Sequence, residues 1–372
     1  MPGITFGGGD LDEPIIRGAS PQNNLFLIDG VQVENIFHEL SDSIISPNVI
    51  RTFNLHSAAY GAQYGGATGG VIDISLRDPA AQASRWNIDL GQLKSGFLAE
   101  TALSDSVAVY GAYRHNLAHL FLEEFERGND VLVFQMPKSR DYVGRLIWRG
   151  DTSDITFSAL GSWDKTEDKV KEGIANPALL GEQEIRQFDS QSLRFRTELG
   201  MNTELTATLS YSRTNQDRRK NIGDFTERNT KTTAMRIQLT HQMGKYNLMF
   251  GSNLTFIEHD LRFRGNIIIC ESFELLCGSV TSQDTALIGD SFQTTELFAV
   301  NLFKLTDDIE LELGIHTAKD HFLGETFIEP RLGMVIRKSE QSVFYTRTGL
   351  YHTSPKPHAL LILNSFAEQQ EA

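Results

Sequence analysis

The residues with the clearest chemical signature are five glycines within YGAQYGGATGG, at positions 60–70. Glycines at this density either surround a phosphate group or let two stretches of backbone approach closely. A phosphate-binding loop has a lysine and then a serine or threonine after its last glycine, whereas Val71 and Ile72 follow here. The spacing also differs from that of a dinucleotide-binding fingerprint. The run therefore predicts close backbone packing and not a nucleotide site.

Two histidines have metal-ligand spacing, because His115 and His119 in RHNLAH lie four residues apart and would share one face of a helix. No third ligand follows at a recognisable spacing, so we expect a solvated pair. The acidic groups in LDEP and GND lack a partner for acid–base chemistry, and no serine, histidine and aspartate set for nucleophilic catalysis is evident. We predict a protein that is not an enzyme and that has no cofactor and no metal.

The chain contains two cysteines, Cys270 and Cys277 in CESFELLC. Two are too few for a disulfide framework, and a zinc site would need further Cys or His residues nearby. Two alternatives stay open. A local disulfide closing a small loop, which we favour, would imply an oxidising compartment, and the other alternative is a pair of free thiols.

The 372 residues carry a formal net charge of −14, which argues against nucleic acid and against an anionic membrane surface as the main partner. No apolar run approaches the roughly 18–20 residues that a membrane-spanning helix needs. The start, MPGITFGGGDLDEP, lacks the pattern of a secretory signal. We therefore expect either a cytosolic protein or a piece of a longer one.

From Trp86 onward, apolar and polar residues alternate in segments of about nine to thirteen residues. In DITFSALGSWD, for example, Ile155, Phe157 and Trp163 share one face. The same period occurs in DYVGRLIWR, ELTATLSYSR and YNLMFGSNLTF, and it predicts about thirteen antiparallel strands.

The connections between these strands alternate between tight turns and long polar segments. The tight turns are LSDS (103–106), GDTSD (150–154), GMNT (200–203), MGK (243–245), LTDD (305–308) and KSEQ (338–341). The long segments, which we predict to be loops, are residues 116–139, 165–189, 214–230 and 259–293. A transmembrane β-barrel has short periplasmic turns and long outer loops, so the pattern favours such a barrel over a soluble all-β protein.

Residues 1–80 show a different sequence pattern, in which short apolar runs alternate with clusters of turn-forming residues. The residues Ile15 and Ile16, the segment LFLIDG and a helix start at SPNVI, with Ser46 as its cap, indicate a small α+β unit. The predicted fold is mainly β, with this α+β domain at residues 1–80 and an incomplete transmembrane β-barrel at 81–372.

The order of several short motifs resembles that of TonB-dependent outer-membrane receptors, whose plug domain lies inside a 22-stranded barrel. The matching segments are IIRGAS (15–20), NLFLIDGVQVENIFH (24–38), SPNVIRTFNLHSAAYGAQYGGATGGVIDISLRDP (46–79) and, in the barrel, FIEPRLGMVIRKSEQSVFYTRTGLYHTSP (327–355). The resemblance implies that residues 1–80 are the C-terminal part of a plug and that residues 81–372 are the N-terminal part of the barrel.

The resemblance also implies roles for individual residues, mainly structural or gating ones. Arg17 and Gly18 fall in the plug strand whose arginine typically meets acidic residues of the barrel wall. The other matches are the Asp-Gly turn, the last plug segment and a barrel motif: Asp29 and Gly30; Tyr60, Gly61, Tyr64, Gly65, Gly69 and Gly70; and Pro330, Arg331, Gly333 and Gly349.

The function implied by this resemblance is that of a receptor in the outer membrane of a Gram-negative bacterium. It would bind a scarce nutrient of the siderophore, cobalamin or glycan class and import it when TonB moves the plug. The implied partners are the TonB complex, through a segment before IIRG, a small-molecule or oligosaccharide ligand, outer-membrane lipid and a surface lipoprotein, with no nucleic acid. Family members have more plug before IIRG and more barrel after SFAEQQEA, so we expect an internal fragment that cannot transport alone. The alternative is a non-transporting surface or signalling barrel with a structural plug.

Overall fold

A computed structural model describes residues 4–6, 14–34, 36–38, 42–57, 59–82, 84–121, 124–126, 132–170, 181–220, 223–271, 276–339 and 342–355. These residues form two units, which we call the plug (residues 4–82) and the wall (residues 84–355). Each unit has its own β-sheet, and the plug lies against one face of the wall sheet.

The plug is built on six short strands. They are β1 (Ile4–Phe6), β2 (Pro14–Ile16), β3 (Leu25–Ile28), β4 (Val31–Val33), β5 (Ile50–His56) and β6 (Val71–Leu76). The main plug sheet has the order β4-β3-β6-β5, in which β3 and β6 are parallel and the other pairs are antiparallel. Strands β1 and β2 form a separate hairpin.

The plug core is continuous with the wall. Strand β3 reads LFLI and is buried along its whole length, which requires cover on both faces of the sheet. One hydrophobic cluster joins plug residues such as Phe26 and Ile74 to wall residues such as Tyr110 and Val143. The plug therefore relies on the wall to bury its apolar surface.

The wall consists of long antiparallel strands. They are β7 (Arg85–Leu90), β8 (Lys94–Ala102), β9 (Val107–Asn116), β10 (Glu124–Glu126), β11 (Leu132–Gln135), β12 (Lys138–Arg149), β13 (Ser153–Val170), β14 (Glu182–Gly200), β15 (Thr203–Lys220), β16 (Phe225–Met243), β17 (Tyr246–Glu271), β18 (Leu276–Lys304), β19 (Ile309–Asp320), β20 (Thr326–Ser339) and β21 (Ser342–Gly349). Thirteen of them run side by side from β7 to β21, with β10 and β11 off this path. The predicted strand array is confirmed.

The two faces of the wall differ as the alternating sequence predicts. On β12, Val143, Arg145 and Ile147 are buried against the plug, whereas Leu146 and Trp148 are exposed on the outer face. Strands β7 and β21 end the sheet, and within the described residues they do not pair with each other. The wall is therefore open between its first and last strands.

The predicted long loops are wrong in extent. Strand β13 continues to Val170, and β14 already begins at Glu182. In the same way β15 continues to Lys220 and β16 begins at Phe225, and β17 continues to Glu271 and β18 begins at Leu276. Charged side chains pair across these extensions, as in Arg262 with Glu227 (3.0 Å) and Lys231 with Glu258 (3.1 Å). On β17 the alternation continues, since Leu261 and Phe263 are buried and Asp260 and Arg262 are exposed, so the loop prediction rests on the many charged residues of these segments.

The helical part of the plug is smaller than predicted. The expected helix at Ser46 is a single 3-10 turn, Pro47–Val49, and the Ser46 side chain makes no capping hydrogen bond. The chain enters β5 at once, because Ile50 already pairs with Leu76. No helix in the described ranges is long and apolar enough to cross a membrane. The domain boundary at residue 80 stays a prediction.

Candidate functional site at the plug–wall contact

The glycine-rich segment at residues 60–66 lies directly against the wall. A Cβ atom at Gly61 would stand 2.6 Å from Glu312 Oε1, and one at Gly65 would stand 2.3 Å from His316 Nε2. Both distances are far below van der Waals contact, so a side chain at either position would displace the wall side chain that it meets. The close backbone packing expected from the glycines is present.

The two later glycines pack within the plug. A Cβ atom at Gly69 would meet Asn24 Oδ1 at 2.4 Å, and one at Gly70 would meet Ile16 Cδ1 at 2.6 Å. The amide of Gly70 also donates a hydrogen bond to Asn24 Oδ1 at 2.8 Å. These positions hold the start of β6 against the turn that precedes β3.

Wall side chains donate hydrogen bonds to successive carbonyl groups of the glycine-rich segment. Arg331 donates to Gly61 O at 2.7 Å and to Tyr64 O at 2.5 Å. The other donors are His316 Nδ1 to Ala62 O (2.9 Å), Arg236 to Gln63 O (3.3 Å), Tyr351 to Tyr60 O (3.1 Å) and Thr353 to Gly66 O (3.2 Å). We call residues 60–66 and these five side chains the carbonyl clasp. It satisfies backbone acceptors that would otherwise need a strand partner.

Arg331 is the centre of the carbonyl clasp. Its side chain is buried and forms an ion pair with Glu329 at 2.6 Å. Its guanidinium also stacks on the rings of Tyr60 (5.1 Å) and Tyr351 (4.4 Å). A planar, permanently charged fork can serve two carbonyls, a carboxylate and two aromatic faces at once, which a lysine could not do.

The rest of the predicted barrel motif supports Arg331. Pro330 and Gly333 lie beside it on β20, and Gly349, the last residue of β21, is its partner in the strand register. A Cβ atom at Gly349 would stand 2.9 Å from Arg331 Cγ. The motif therefore has a physical basis in the space that this arginine needs.

Two tyrosines of the clasp remain hydrogen-bond donors. Burial raises the pKa of both Tyr60 and Tyr64 above the ordinary phenol value. The Tyr60 hydroxyl donates to Ala67 O, and the Tyr64 hydroxyl donates to Asp73 Oδ2 at 2.9 Å. Both tyrosines thus restrain the glycine-rich segment through hydrogen bonds within the plug.

A second contact joins the Asp-Gly turn to the wall by charge. Asp29 (φ 52°) and Gly30 (φ 79°) form the two-residue turn between β3 and β4, which requires the left-handed conformation at both positions. Asp29 pairs with Arg145, which also contacts Asp78 at 3.0 Å. The side chains of Arg145 and Asp29 are 1% and 9% exposed, so this pair is shielded from water, whereas Asp78 is 35% exposed.

Arg17 does not take part in such a contact. Together with Gly18 it forms the turn after β2, where Arg17 has a φ of 51° and an exposed side chain. Among the described residues, the plug arginine that pairs with a wall carboxylate is Arg77, which lies 2.7 Å from Glu100 of β8, whereas in the Asp29 contact the acid comes from the plug and Arg145 from the wall. The expectation that Arg17 meets wall carboxylates is therefore not met in the described part of the chain.

A third contact involves His38, which has no sequence signal. His38 is buried between Asp141 and Asp164 of the wall, which lie 103 and 126 residues after it in the sequence. His316, Tyr351 and other clasp donors were missed for the same reason. Such pairs depend on tertiary proximity, and local spacing does not reveal them.

A cavity of about 200 Å³ lies between the clasp and strands β15 to β19. Its polar wall lining includes Thr208, Ser210, Thr255, Thr294, Arg236 and Glu296. Ligand pockets for drug-sized molecules are typically about 300–1,000 Å³, so this cavity fits one polar portion of such a molecule.

The other candidate residues lie away from the clasp. Cys270 and Cys277 are direct backbone partners in the β17–β18 register, and a bond between them stays a prediction. His115 and His119 are half-buried rather than solvated, with ring centroids 5.9 Å apart. In the ranges that the structure describes, no three side chains form a metal-binding group.

Comparison with protein families decides what the plug is. Residues 1–71 match the family model of the TonB-dependent receptor plug domain. Residues 1–71 are therefore a domain of the TonB-dependent receptor plug family. No curated protein sequence matches the chain.

Solved receptor structures share the fold of plug and wall together. A mutant of the ferric enterobactin receptor from Pseudomonas aeruginosa is 17% identical, with a TM-score of 0.69 over 95% of this chain and 58% of that one. The siderophore receptor PirA from the same species is 15% identical (TM-score 0.62, 96% and 58%), and an outer membrane transporter from Escherichia coli is 12% identical (0.67, 92% and 55%). The chain thus spans less than two thirds of the length of these receptors.

Proposed function

We propose that this TonB-dependent receptor lies in the outer membrane of a Gram-negative bacterium, binds a scarce nutrient and takes it up when TonB displaces the plug. The separation of the two sheets supports this proposal. In the described residues, the plug sheet shares no strand pairing with the wall sheet. The plug is held by side-chain contacts, so it can move without breaking the backbone hydrogen bonds of the barrel.

Among the nutrient classes, we favour a siderophore over cobalamin and glycans. Similar structures are named as a ferric enterobactin receptor and as siderophore receptors, one of them in complex with enterobactin. The cavity beside the clasp offers hydroxyl, amide and charged groups that suit a polar ligand. The chain would act as a receptor and not as a catalyst.

The proposed partners are the TonB complex, the ligand, a surface lipoprotein and membrane lipid. Exposed apolar side chains on the outer face of the wall support the contact with lipid. They include Leu146, Trp148, Phe157, Leu193 and Phe195.

A non-transporting surface or signalling barrel is the second candidate. It is favoured by the shielded pair of Arg145 and Asp29, which resists displacement of the plug. In this case the plug would be a permanent stopper.

One experiment separates the two candidates. The longer receptor of which this chain is proposed to be a piece is expressed in a Gram-negative host with and without active TonB, and cells are given an iron-labelled catecholate siderophore, labelled cobalamin or a labelled oligosaccharide. We expect saturable siderophore binding in both hosts and accumulation only with TonB. Binding without accumulation would favour the stopper, and the absence of binding for all three probes would contradict the receptor proposal.

A further inference from the structure

The imidazole of His38 lies between two carboxylates of the wall. Its Nδ1 atom is 2.7 Å from Asp164 Oδ1, and its Nε2 atom is 3.0 Å from Asp141 Oδ2. An ionised carboxylate only accepts hydrogen bonds, so both ring nitrogens must carry a hydrogen for both bonds to form. The geometry therefore fits the imidazolium and neither neutral tautomer.

The charges around His38 balance only when it is protonated. Asp141 on β12 also contacts Arg114 of β9 (2.8 Å) and Lys94 of β8 (3.1 Å). Lys94 in turn contacts Asp42 of the plug. Beside Asp164 on β13, the opposite residue on β14 is Arg186, which pairs with Glu184 at 2.9 Å. Loss of the His38 proton would leave one buried carboxylate without a counter-charge.

We propose that His38, Asp141 and Asp164 form a proton-operated latch that fastens one side of the plug to the wall and opens as the pH rises. We call these three residues the His38 latch. It holds a part of the plug that has no backbone pairing with the wall in the described residues. The carbonyl clasp, on the side of β16 to β20, keeps its arginine and carbonyl contacts over the same pH range.

The direction of the pH effect follows from the surroundings of His38. Burial lowers the pKa of His38, but the hydrogen bonds to Asp141 and Asp164 outweigh burial and hold the pKa above the ordinary 6.5. A histidine whose pKa is raised on folding stabilises the folded arrangement fully below its unfolded pKa. That stabilisation is lost as the pH rises through the folded-state pKa.

The segment released by the latch is small. His38 N donates to Asp42 O at 2.6 Å, and Phe37 bridges to Ser43, so the residues on either side of the latch form one loop. Arg114 binds this loop through Ser43 O at 2.6 Å. Deprotonation of His38 would loosen residues 36–38 and 42–45 first.

The link to uptake rests on the proposed function, because an open latch would leave the plug held mainly by the clasp and the Asp29 network. A docking measurement needs neither ligand nor TonB. Failure of the latch is therefore distinguishable from failure of the receptor proposal.

Nuclear magnetic resonance of the full chain in detergent micelles, with 15N-labelled imidazoles, tests the protonation state directly. His38→Asn identifies the His38 signal. We expect both ring nitrogens to be protonated at pH 6.5 and the midpoint of the titration to lie above 6.5. A neutral tautomer at pH 6, or a midpoint below 6.5, would overturn the latch.

Hydrogen exchange, corrected for its intrinsic pH dependence, tests the consequence. Between pH 6 and 9 we expect the protection of residues 36–38 and 42–45 to fall by up to roughly tenfold for each pH unit between the unfolded pKa of 6.5 and the midpoint and to level off above the midpoint, with no matching fall at residues 60–66. His38→Asn should be pH-independent, and the matched control His56→Asn should fall as the unmodified chain does. An equal fall in His38→Asn would overturn the latch. The titration of the unmodified chain decides the question even where His38→Asn does not fold.

Discussion

The plug is fastened to the wall by two kinds of contact with opposite chemistry. In the carbonyl clasp, wall side chains bind the neutral backbone of residues 60–66. In the Asp29 network and the His38 latch, charged side chains of the plug meet charged side chains of the wall. The first kind depends on backbone that can come close, and the second depends on paired charge.

The difference has energetic consequences. A hydrogen bond to a charged donor contributes about 1.5–3 kcal/mol, and a severed backbone carbonyl can still find water if the segment moves. A buried ion pair adds little net stability, but removal of one partner costs about 3–5 kcal/mol because the other charge stays buried. The ionic contacts should therefore be the more sensitive to single substitutions.

The largest effect is expected for Arg145→Ala. This change leaves the shielded Asp29 with Arg194, 3.7 Å away, in place of its direct partner, and we expect the plug to lose about 3–4 kcal/mol of docking free energy. Hydrogen exchange of residues 25–33 measures it. The control is Arg196→Ala. The Arg196 side chain is half-exposed beside Asp154, so its removal should cost about 0–1 kcal/mol. Equal losses in the two variants would contradict the ionic side of the comparison.

Arg331→Ala tests the carbonyl clasp. It removes the bonds to Gly61 O and Tyr64 O and leaves Glu329 with His352 as its partner, so we expect a loss of about 2–3 kcal/mol. The effect should appear as faster exchange at residues 60–67 and should spare residues 36–38. Arg331→Lys should restore only part of the loss, because an ammonium cannot serve both carbonyls in one plane. Full recovery with lysine would show that charge alone matters here.

Gly65→Ala tests the close approach itself. The added Cβ would stand 2.3 Å from His316 Nε2, and overpacking of this kind costs about 1–3 kcal/mol. Resistance of the plug to proteolysis during heating would report the loss. In Gly111→Ala, the new Cβ would have no neighbour within 4 Å, so this wall variant should melt like the original chain.

The smallest effect is expected from His56 on β5, and it has the opposite sign to that of His38. Burial, and next the charge of Arg347, lowers the pKa of His56. The neutral ring is thus preferred in the folded plug, so its contribution is present above the unfolded pKa of 6.5 and is lost as the pH falls through the folded value. Exchange of residues 50–57 should accelerate between pH 6.5 and 5, and His56→Asn should remove this acceleration.

Sequence reasoning identified the plug–wall contacts that depend on backbone conformation and on missing side chains. The close packing at Gly61 and Gly65 follows from local chemistry, since it needs an absent side chain, whereas the Asp29-Gly30 turn and the motif at Arg331 were found through the family resemblance. Strand alternation likewise predicted the thirteen-strand wall.

Sequence reasoning missed what depends on distant pairing. His38 and His316 look unremarkable in the sequence, because their partners lie far along the chain. The extent of β17 and β18 was missed because many charged and polar residues lie between the apolar residues of their outer halves, as in HDLRFRG (259–265). Arg17 was matched by its motif, but among the described residues the plug arginine that meets a wall carboxylate is Arg77.

The clasp has a mechanical consequence. Its donors hold successive carbonyls side by side, so tension applied along residues 60–66 would be shared among several bonds in shear. A pull from the N-terminal side would instead act on the β1–β2 hairpin and on the His38 latch one after the other. Such a pull would peel the plug away step by step and halt at the clasp. Residues from the clasp onward would then remain as a short tether that guides the plug back to its seat.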